Sequence, residues 1–119
     1  TPDRVKKVWQ ACLAEMDAAS LAGHFHNTYG MAIANIYQSL EQGIRVFDSS
    51  IAGLGGCPYA KGASGNISTE DLYYLLSNMG YDTGIDLDAL MIASQNISQV
   101  LQRTNPSNYA NAYWQKHCA

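Results

Sequence analysis

The chain has 119 residues, enough for one domain with a substantial core, and its net charge is −3 with the histidines neutral. This charge excludes the strongly basic surface of a typical nucleic-acid-binding domain, and no apolar stretch approaches the roughly 20 residues that a membrane span needs. We therefore expect neither nucleic acid nor a membrane as a partner. Only 14% of the residues are charged, below the usual figure of about 25%, which suggests that part of the surface packs against further chain or a partner.

The cysteines give no sign of a disulfide framework. Cys12, Cys57 and Cys118 lie far apart and form no CxxC pair. Three cysteines at such spacings are typical neither of paired disulfides nor of a zinc site. We therefore predict a reducing, intracellular location.

Four segments carry the apolar periodicity of amphipathic helices. The first covers residues 3–18 and follows Thr1-Pro2, a typical N-cap and first helical position. Its apolar stripe consists of Val5, Val8, Trp9, Cys12, Leu13 and Met16. The second covers residues 29–42 and ends at Gly43. The third begins at a sequence resembling a capping box, residues 68–71, and ends at Gly80. The fourth is capped by Asp86, and residues 109–119 carry a weaker helical pattern.

Two short β-rich segments, residues 21–26 and 44–48, separate the first three helices. The order helix, strand, helix, strand, loop, helix predicts βα units and a parallel sheet. Two parallel strands can neither close a barrel nor bury both faces of a sheet. The sequence therefore predicts an α/β fold that is the C-terminal piece of a larger α/β protein.

His24 and His26 are one residue apart on the first predicted strand, so their side chains point to the same side. Two imidazoles on one face at a strand's C-terminal end can chelate a divalent ion. The alternative is a pair of histidines whose nitrogens are satisfied by backbone or water. Asn66 offers an amide oxygen, which suits a hard cation such as Mg²⁺ or Mn²⁺.

A glycine-rich run, residues 53–66, follows the second strand and has no apolar period, so we expect a loop. In parallel α/β proteins the loops after strands carry the active site. Cys57 in this loop should therefore lie near the two histidines, where a metal or an imidazole could lower its pKa from about 8.5. Asp48, at the end of the second strand, could orient a histidine or form a purely structural hydrogen bond. A mobile surface loop without function is the alternative.

These motifs carry a family resemblance. The segment that begins His24-Phe25-His26-Asn27-Thr28-Tyr29-Gly30 resembles the His-x-His strand and following helix of the DRE-TIM metallolyases. The loop sequence Gly-Gly-Cys-Pro-Tyr-Ala, at residues 55–60, closely resembles the 3-hydroxy-3-methylglutaryl-CoA lyases of that family. Relatives that condense, such as the isopropylmalate and homocitrate synthases, share the His-x-His strand but lack this loop. The resemblance extends from Thr1 to about Leu101.

The resemblance implies a (β/α)₈ TIM barrel, of which the two strands here are the seventh and eighth. Residues 1–80 would form the last two βα units, and residues 86–119 a C-terminal helical extension. An Asp-Arg-Glu run on the family's first strand, which supplies an aspartate ligand and an arginine, is absent from this chain. The chain alone is therefore expected to be inactive and to bind metal weakly. The complete enzyme is expected to be a homo-oligomer, a dimer.

The implied reaction is retro-Claisen cleavage of the acyl-CoA substrate to acetyl-CoA and acetoacetate, a step of leucine degradation and ketone-body formation in the mitochondrial matrix or the bacterial cytoplasm. By resemblance, His24, His26 and Asn66 bind the cation, Mg²⁺ or Mn²⁺. Cys57 is expected to be a catalytic thiol, and His24 also to shuttle protons. Asn27 stands where some relatives carry aspartate. The expected hinges of a lid are Gly55, Gly56, Gly62 and Gly65.

Other functions are compatible with the same residues. One is a related metal-dependent lyase or aldolase acting on another acyl-CoA. Another is a non-catalytic partial barrel that persists by oligomerising through its open sheet edges. A hydrolase built on Cys57 and a histidine would need an oxyanion hole or a triad, and the sequence indicates neither.

Overall fold

Two short parallel strands, flanked by helices, organise the computed structural model, which describes residues 1–117. In chain order the elements are α1 (Pro2–Leu13), β1 (Gly23–His24), α2 (Ala32–Glu41), β2 (Phe47–Asp48), α3 (Thr69–Asn78), α4 (Leu87–Val100) and α5 (Asn108–His117). Short 3₁₀ turns lie at Ala18–Ser20 and Ile51–Gly53. Cys118 and Ala119, at the end of the predicted helical extension, lie outside the described residues. No helix within residues 1–117 is long and apolar enough to cross a membrane.

The predicted parallel pairing is confirmed. Gly23 lies opposite Phe47 and His24 opposite Asp48, so α2 is the crossover between two parallel strands. Both strands are shorter than predicted, because the ladder between them covers only two residue pairs. The line of β1 continues to an isolated antiparallel bridge between His26 and Asn66.

The core lies between the two strands and the helices α2 and α3. Its buried residues are Ala32, Ile36, Leu40, Ile67 and Leu72. Phe25 and Phe47 pack against this cluster from the strand side. Because side chains alternate along an extended chain, His24 and His26 lie on the face opposite Phe25, where the His24 side chain is 54% exposed.

Helix α1 ends earlier than predicted. It stops at Leu13 instead of residue 18, and Trp9 is its one buried residue, with Nε1 donating a 2.6 Å hydrogen bond to Ser39 Oγ on α2. On the predicted apolar stripe, Val8 is 59% exposed and Met16 is 48% exposed. The reason is that α1 packs mainly against α2, which covers only one side of it.

The N-termini of α3 and α5 are joined by one carboxylate. The predicted capping box is confirmed, since Ser68 Oγ accepts a hydrogen bond from Asp71 N and donates one to Asp71 Oδ2. Asp71 Oδ1 accepts from the hydroxyl of Ser107 and from the backbone N–H of Tyr109, both at 2.9 Å. This contact explains why the weakly predicted last segment is a regular helix from Asn108 onwards.

Candidate metal and catalytic site

The two histidines converge on a single point. Their Nε2 atoms are 3.3 Å apart, and both side chains lie at the open face of the strands. His24 Nδ1 lies 2.9 Å from Asp48 Oδ2 on the neighbouring strand. His26 Nδ1 lies 2.8 Å from the carbonyl oxygen of Ser64, near the end of the glycine-rich loop.

The partners of the two Nδ1 atoms determine where the ring protons are. A carboxylate and a backbone carbonyl only accept hydrogen bonds, so in both neutral rings Nδ1 carries the proton. Both Nε2 atoms then present lone pairs to each other. Two such lone pairs repel unless a proton or a cation lies between them. Imidazoles that bind metals are held in this way, with one nitrogen fixed by an oxygen and the other free to coordinate.

The spacing of the Nε2 atoms fits a shared cation. Two nitrogen ligands about 2.1 Å from one metal, at ligand angles between about 90° and 110°, are about 3.0–3.4 Å apart. The observed separation of 3.3 Å lies in this range. The histidine pair therefore fits a divalent ion without movement of the strand.

Asn66 lies beside this pair. It is the bridge partner of His26, and two backbone hydrogen bonds of 3.0 and 3.1 Å flank the bridge. Such a non-hydrogen-bonded antiparallel pair brings its two side chains closest together, on the same face. The next residue, Ile67, is buried in the core, which places Asn66 on the histidine side.

The donor set within residues 1–117 is incomplete. No group of three or more His, Cys, Asp or Glu side chains in this range could hold a metal ion. Asp48 contacts Nδ1 of His24, the nitrogen that does not face the cation site. Asp48 therefore supports a metal ligand and is not itself positioned to be one. Two imidazoles and one amide leave a six-coordinate cation with open positions, which water, substrate or further chain must fill.

The two ends of the glycine-rich loop pack directly against each other, and this contact is called the neck of the loop below. A Cβ at Gly65 would lie 2.6 Å from the carbonyl oxygen of Gly53, so no side chain fits at position 65. Gly55 and Gly62 adopt positive φ angles of 104° and 80°, while Gly56 does not. Close packing at the neck explains why residue 65 is a glycine. The hinge role predicted for Gly55, Gly56, Gly62 and Gly65 stays a prediction.

Cys57 lies in this loop as a half-buried free thiol. Within the described part of the chain its Sγ makes no hydrogen bond to His24 or His26. Lys61, further along the loop, lines a cavity of about 490 Å³ together with His26. Asn35 lines the same cavity, and its buried Oδ1 has no hydrogen-bond partner.

Three further polar residues have structural partners. Arg45 donates hydrogen bonds to the carbonyl oxygens of Leu40 and Ile44, at 2.8 and 2.9 Å. Asn27 Oδ1 accepts a 3.2 Å hydrogen bond from the first N–H of α2. Glu70, which was not predicted as a functional residue, is completely buried and accepts a hydrogen bond from the N–H of Ala52. An acidic residue in a helix's first turn is ordinarily explained by the helix dipole, so no sequence pattern indicates the burial of Glu70.

The chain is similar to lyases over most of its length. The sequence model of the HMGL-like family matches residues 1–97. A hydroxymethylglutaryl-CoA lyase from Pseudomonas mevalonii is 54% identical over 89% of this chain and 35% of its own length. A 3-hydroxy-3-isohexenylglutaryl-CoA/hydroxymethylglutaryl-CoA lyase from Pseudomonas aeruginosa is 53% identical over 94% of this chain and 37% of its own length.

A solved structure agrees with these sequence relatives. The crystal structure of hydroxymethylglutaryl-CoA lyase from Pseudomonas aeruginosa superposes with a TM-score of 0.92 at 52% identity, covering 98% of this chain and 39% of that one. The chain thus spans little more than a third of the length of the relatives it matches. A family match that covers residues 1–97 leaves one conclusion: this chain belongs to the HMGL-like family.

Proposed function

We propose that this chain is the C-terminal part of the (β/α)₈ barrel of a hydroxymethylglutaryl-CoA lyase. Residues 1–80 would be the seventh and eighth βα units, and α4 and α5 the helical extension after the barrel. The parallel β1–α2–β2 unit followed by a long loop and α3 supports this placement. Identity above 50% to lyases about two and a half times as long supports it as well.

The convergence of two Nε2 lone pairs at 3.3 Å is the observation that carries the proposal. His24, His26 and Asn66 would hold a divalent cation, Mg²⁺ or Mn²⁺, whose amide and imidazole ligands suit a hard or borderline ion. A cation bound there would lower the pKa of the substrate's tertiary hydroxyl and polarise it. The remaining ligands would come from outside this chain, which is why the chain alone is expected to be inactive.

Cleavage of the carbon–carbon bond requires two proton movements. The substrate hydroxyl loses its proton as the bond breaks to acetoacetate, and the departing thioester enolate gains one to become acetyl-CoA. We assign the first movement to His24, whose Nε2 would take the hydroxyl proton as it leaves the cation while Asp48 holds the Nδ1–H of the resulting imidazolium, and the second to the Cys57 thiol on the loop. The loop's other role would be to exclude water while the enolate exists.

The test is carbon–carbon cleavage of the acyl-CoA substrate by the complete enzyme. His24→Ala and Cys57→Ser are expected to lower kcat by about 10²–10⁴-fold, the usual contribution of a positioned acid or base. Acetoacetate and acetyl-CoA would be quantified separately. Cys12→Ser, which changes a half-buried thiol on α1, is the matched control and should retain activity. Undiminished cleavage by both site variants would overturn the assigned roles.

A second candidate is a lyase that prefers a larger acyl-CoA. It is favoured by the 53% identity to a lyase named for both 3-hydroxy-3-isohexenylglutaryl-CoA and hydroxymethylglutaryl-CoA. The ratio of kcat/KM for these two substrates separates the candidates. Cleavage of neither, together with no binding of Mn²⁺, would favour the non-catalytic partial barrel.

Assembly and location are parts of the same proposal. The complete enzyme is expected to be a homodimer acting on an acyl-CoA inside the cell, in the mitochondrial matrix or the bacterial cytoplasm. Sedimentation of the complete enzyme would test the dimer.

A further inference from the structure

Glu70 is a completely buried carboxylate that the proposed mechanism does not use. Its Oε1 and Oε2 lie 2.9 and 3.1 Å from the backbone nitrogen of Ala52. Ser94 on α4 donates its hydroxyl hydrogen to Oε1, and Asn105 Nδ2 donates a 2.7 Å hydrogen bond to that same hydroxyl. Among residues 1–117, no Lys, Arg or His side chain forms a salt bridge with Glu70. Burying a carboxyl group without a cation is costly in free energy. The hydrogen bonds that Glu70 makes must offset this cost, and we therefore ask what they hold in place.

The residue that Glu70 holds has an unfavourable backbone. Ala52 has φ 51° and ψ 26°, the left-handed conformation that residues with a Cβ rarely adopt. Gly53 follows with φ 57°. These two consecutive left-handed residues turn the chain out of β2 and into the glycine-rich loop, and such a turn persists only where its surroundings hold it.

The turn is also held from the C-terminal side of the chain. Arg103 Nη2 lies 3.5 Å from the carbonyl oxygen of Ala52. Pro106 Cγ lies 3.0 Å from the position that a Cβ on Gly53 would take. The N–H of Ala52, its carbonyl and the following residue are thus all fixed by residues beyond the loop.

The same turn is linked to the histidine pair. The backbone of Gly65 packs directly on the carbonyls of Gly53 and Leu54. The neighbouring Ser64 carbonyl accepts the Nδ1–H of His26, and Ser64 N lies 3.2 Å from Thr28 Oγ1. A displacement of Ala52 would therefore move both the loop that carries Cys57 and the oxygen that fixes the ring of His26.

We propose that Glu70 is a positioning residue: its buried carboxylate sets the left-handed turn at Ala52–Gly53 and thereby holds the glycine-rich loop over the histidine pair. Its effect on catalysis rests on the proposed function, whereas its effect on the loop does not. Ser94 and Asn105 are part of the device, because they orient the carboxylate toward Ala52.

The loop offers its own reporter of position. Lys61 is the one Lys or Arg residue in the run 53–66, so trypsin cleavage after it measures opening of the loop. Cleavage would be followed by mass spectrometry on the complete enzyme, in native buffer, together with the rate of Cys57 alkylation by iodoacetamide. Neither measurement depends on lyase activity.

Glu70→Ala is expected to speed cleavage at Lys61 and alkylation of Cys57 by about tenfold or more, the scale of a lost buried hydrogen bond to a charged group. Glu70→Gln keeps an oxygen that can accept from both Ala52 and Ser94, so it should stay within about threefold of the natural protein. Kinetically, kcat should fall more than KM rises in Glu70→Ala, because the loop and not the substrate contact is changed.

Ser39→Ala is the control for general destabilisation. Ser39 is also completely buried and bonded to a distant side chain, Trp9, but it lies between α1 and α2, away from the turn. If Glu70→Ala does not fold, Ser94→Ala makes the same test with a smaller perturbation. The comparison is made between variants that lose the same amount of Tm. If trypsin cleaves after Lys61 no faster in Glu70→Ala or Ser94→Ala than in Ser39→Ala, the proposal is overturned. Faster cleavage at Lys61 in an enzyme that proves unable to cleave the acyl-CoA would overturn the proposed function and leave the positioning role supported.

Discussion

Two polar clusters lie on either side of the neck of the glycine-rich loop. They differ in whether their polar atoms have hydrogen-bond partners. The histidine cluster (His24, His26, Asp48 and Asn66) is open: the side chains of His24 and Asp48 are 54% and 61% exposed, and two nitrogen lone pairs face each other. The Glu70 cluster (Ala52, Glu70, Ser94 and Asn105) is closed, with the carboxylate oxygens accepting from N–H and O–H groups. Open acceptors are available to a ligand, whereas closed ones stabilise the fold. The two clusters should therefore respond to mutation in opposite ways.

The largest expected effect is on metal affinity in the histidine cluster. In the complete enzyme, His24→Ala should weaken Mn²⁺ binding by more than about 100-fold, since even outer partners of ligands contribute about 10–100-fold. The free energy of unfolding without metal should change by less than about 0.5 kcal/mol, because the side chain is exposed. Calorimetric titration and urea unfolding measure the two quantities. His117→Ala, an exposed histidine on α5, is the control, and equal affinities for the two variants would show that the cluster binds no metal.

Asp48→Asn asks how far the open cluster depends on its supporting carboxylate. The amide keeps the shape but loses the charge that favours the Nδ1–H form of His24. We expect Mn²⁺ affinity to fall by about 10–100-fold, with little change in stability. Glu41→Gln, which neutralises an exposed carboxylate on α2, should change neither. An unchanged affinity in Asp48→Asn would reduce the 2.9 Å contact to His24 to a structural hydrogen bond.

The open cluster could be predicted from sequence and the closed one could not, for a physical reason. Alternation along a strand puts His24 and His26 on one face, and the βα order predicts that both strands are parallel, because these are local rules. The burial of Glu70 depends on Ser94 and Asn105, which are distant in sequence and carry no signal of contact. The same holds for the apolar stripe of α1, whose exposure depends on how little of the helix α2 covers.

The position of Cys57 could be predicted from sequence only in part. Its loop follows from five glycines in fourteen residues, and its side of the sheet follows from the strand order. Where the thiol stands within the loop depends on the turn at Ala52 and on the neck at Gly65, which are set by contacts with α3, α4 and the segment before α5. Sequence periodicity does not describe such contacts.

Gly65 connects the two clusters, so a side chain there should disturb both. A Cβ would lie 2.6 Å from the carbonyl oxygen of Gly53, and we expect Gly65→Ala to lower the free energy of unfolding by about 1–3 kcal/mol, as overpacking does. Weaker Mn²⁺ binding should accompany the loss, because Ser64 moves with the neck. Gly56→Ala is the matched control in the same loop, since a Cβ there would lie 3.4 Å from its nearest neighbour and φ is not positive. Equal stability of the two variants would mean that the neck yields easily and does not couple the clusters.

The smallest expected effect concerns a contact that is exposed to solvent, like the histidine cluster, but whose polar atoms are hydrogen-bonded, like those of the Glu70 cluster. The Tyr113 hydroxyl donates a 2.9 Å hydrogen bond to Asp88 Oδ1, and this bond, with desolvation, raises the pKa of Tyr113 above its ordinary value of 10.0. The folded protein thus favours the protonated phenol. Its contribution to stability is complete below pH 10 and is lost as the pH rises through the raised pKa. The stability difference between the natural protein and Tyr113→Phe should therefore be small and constant from about pH 8 to about pH 10 and should shrink above that. Urea unfolding across this range measures it, with Tyr29→Phe, an 88% exposed tyrosine, as the control. A difference that persists unchanged to about pH 11.5 would mean that the hydrogen bond does not favour the phenol over the phenolate, and that satisfaction of a polar group counts for stability only where it is buried.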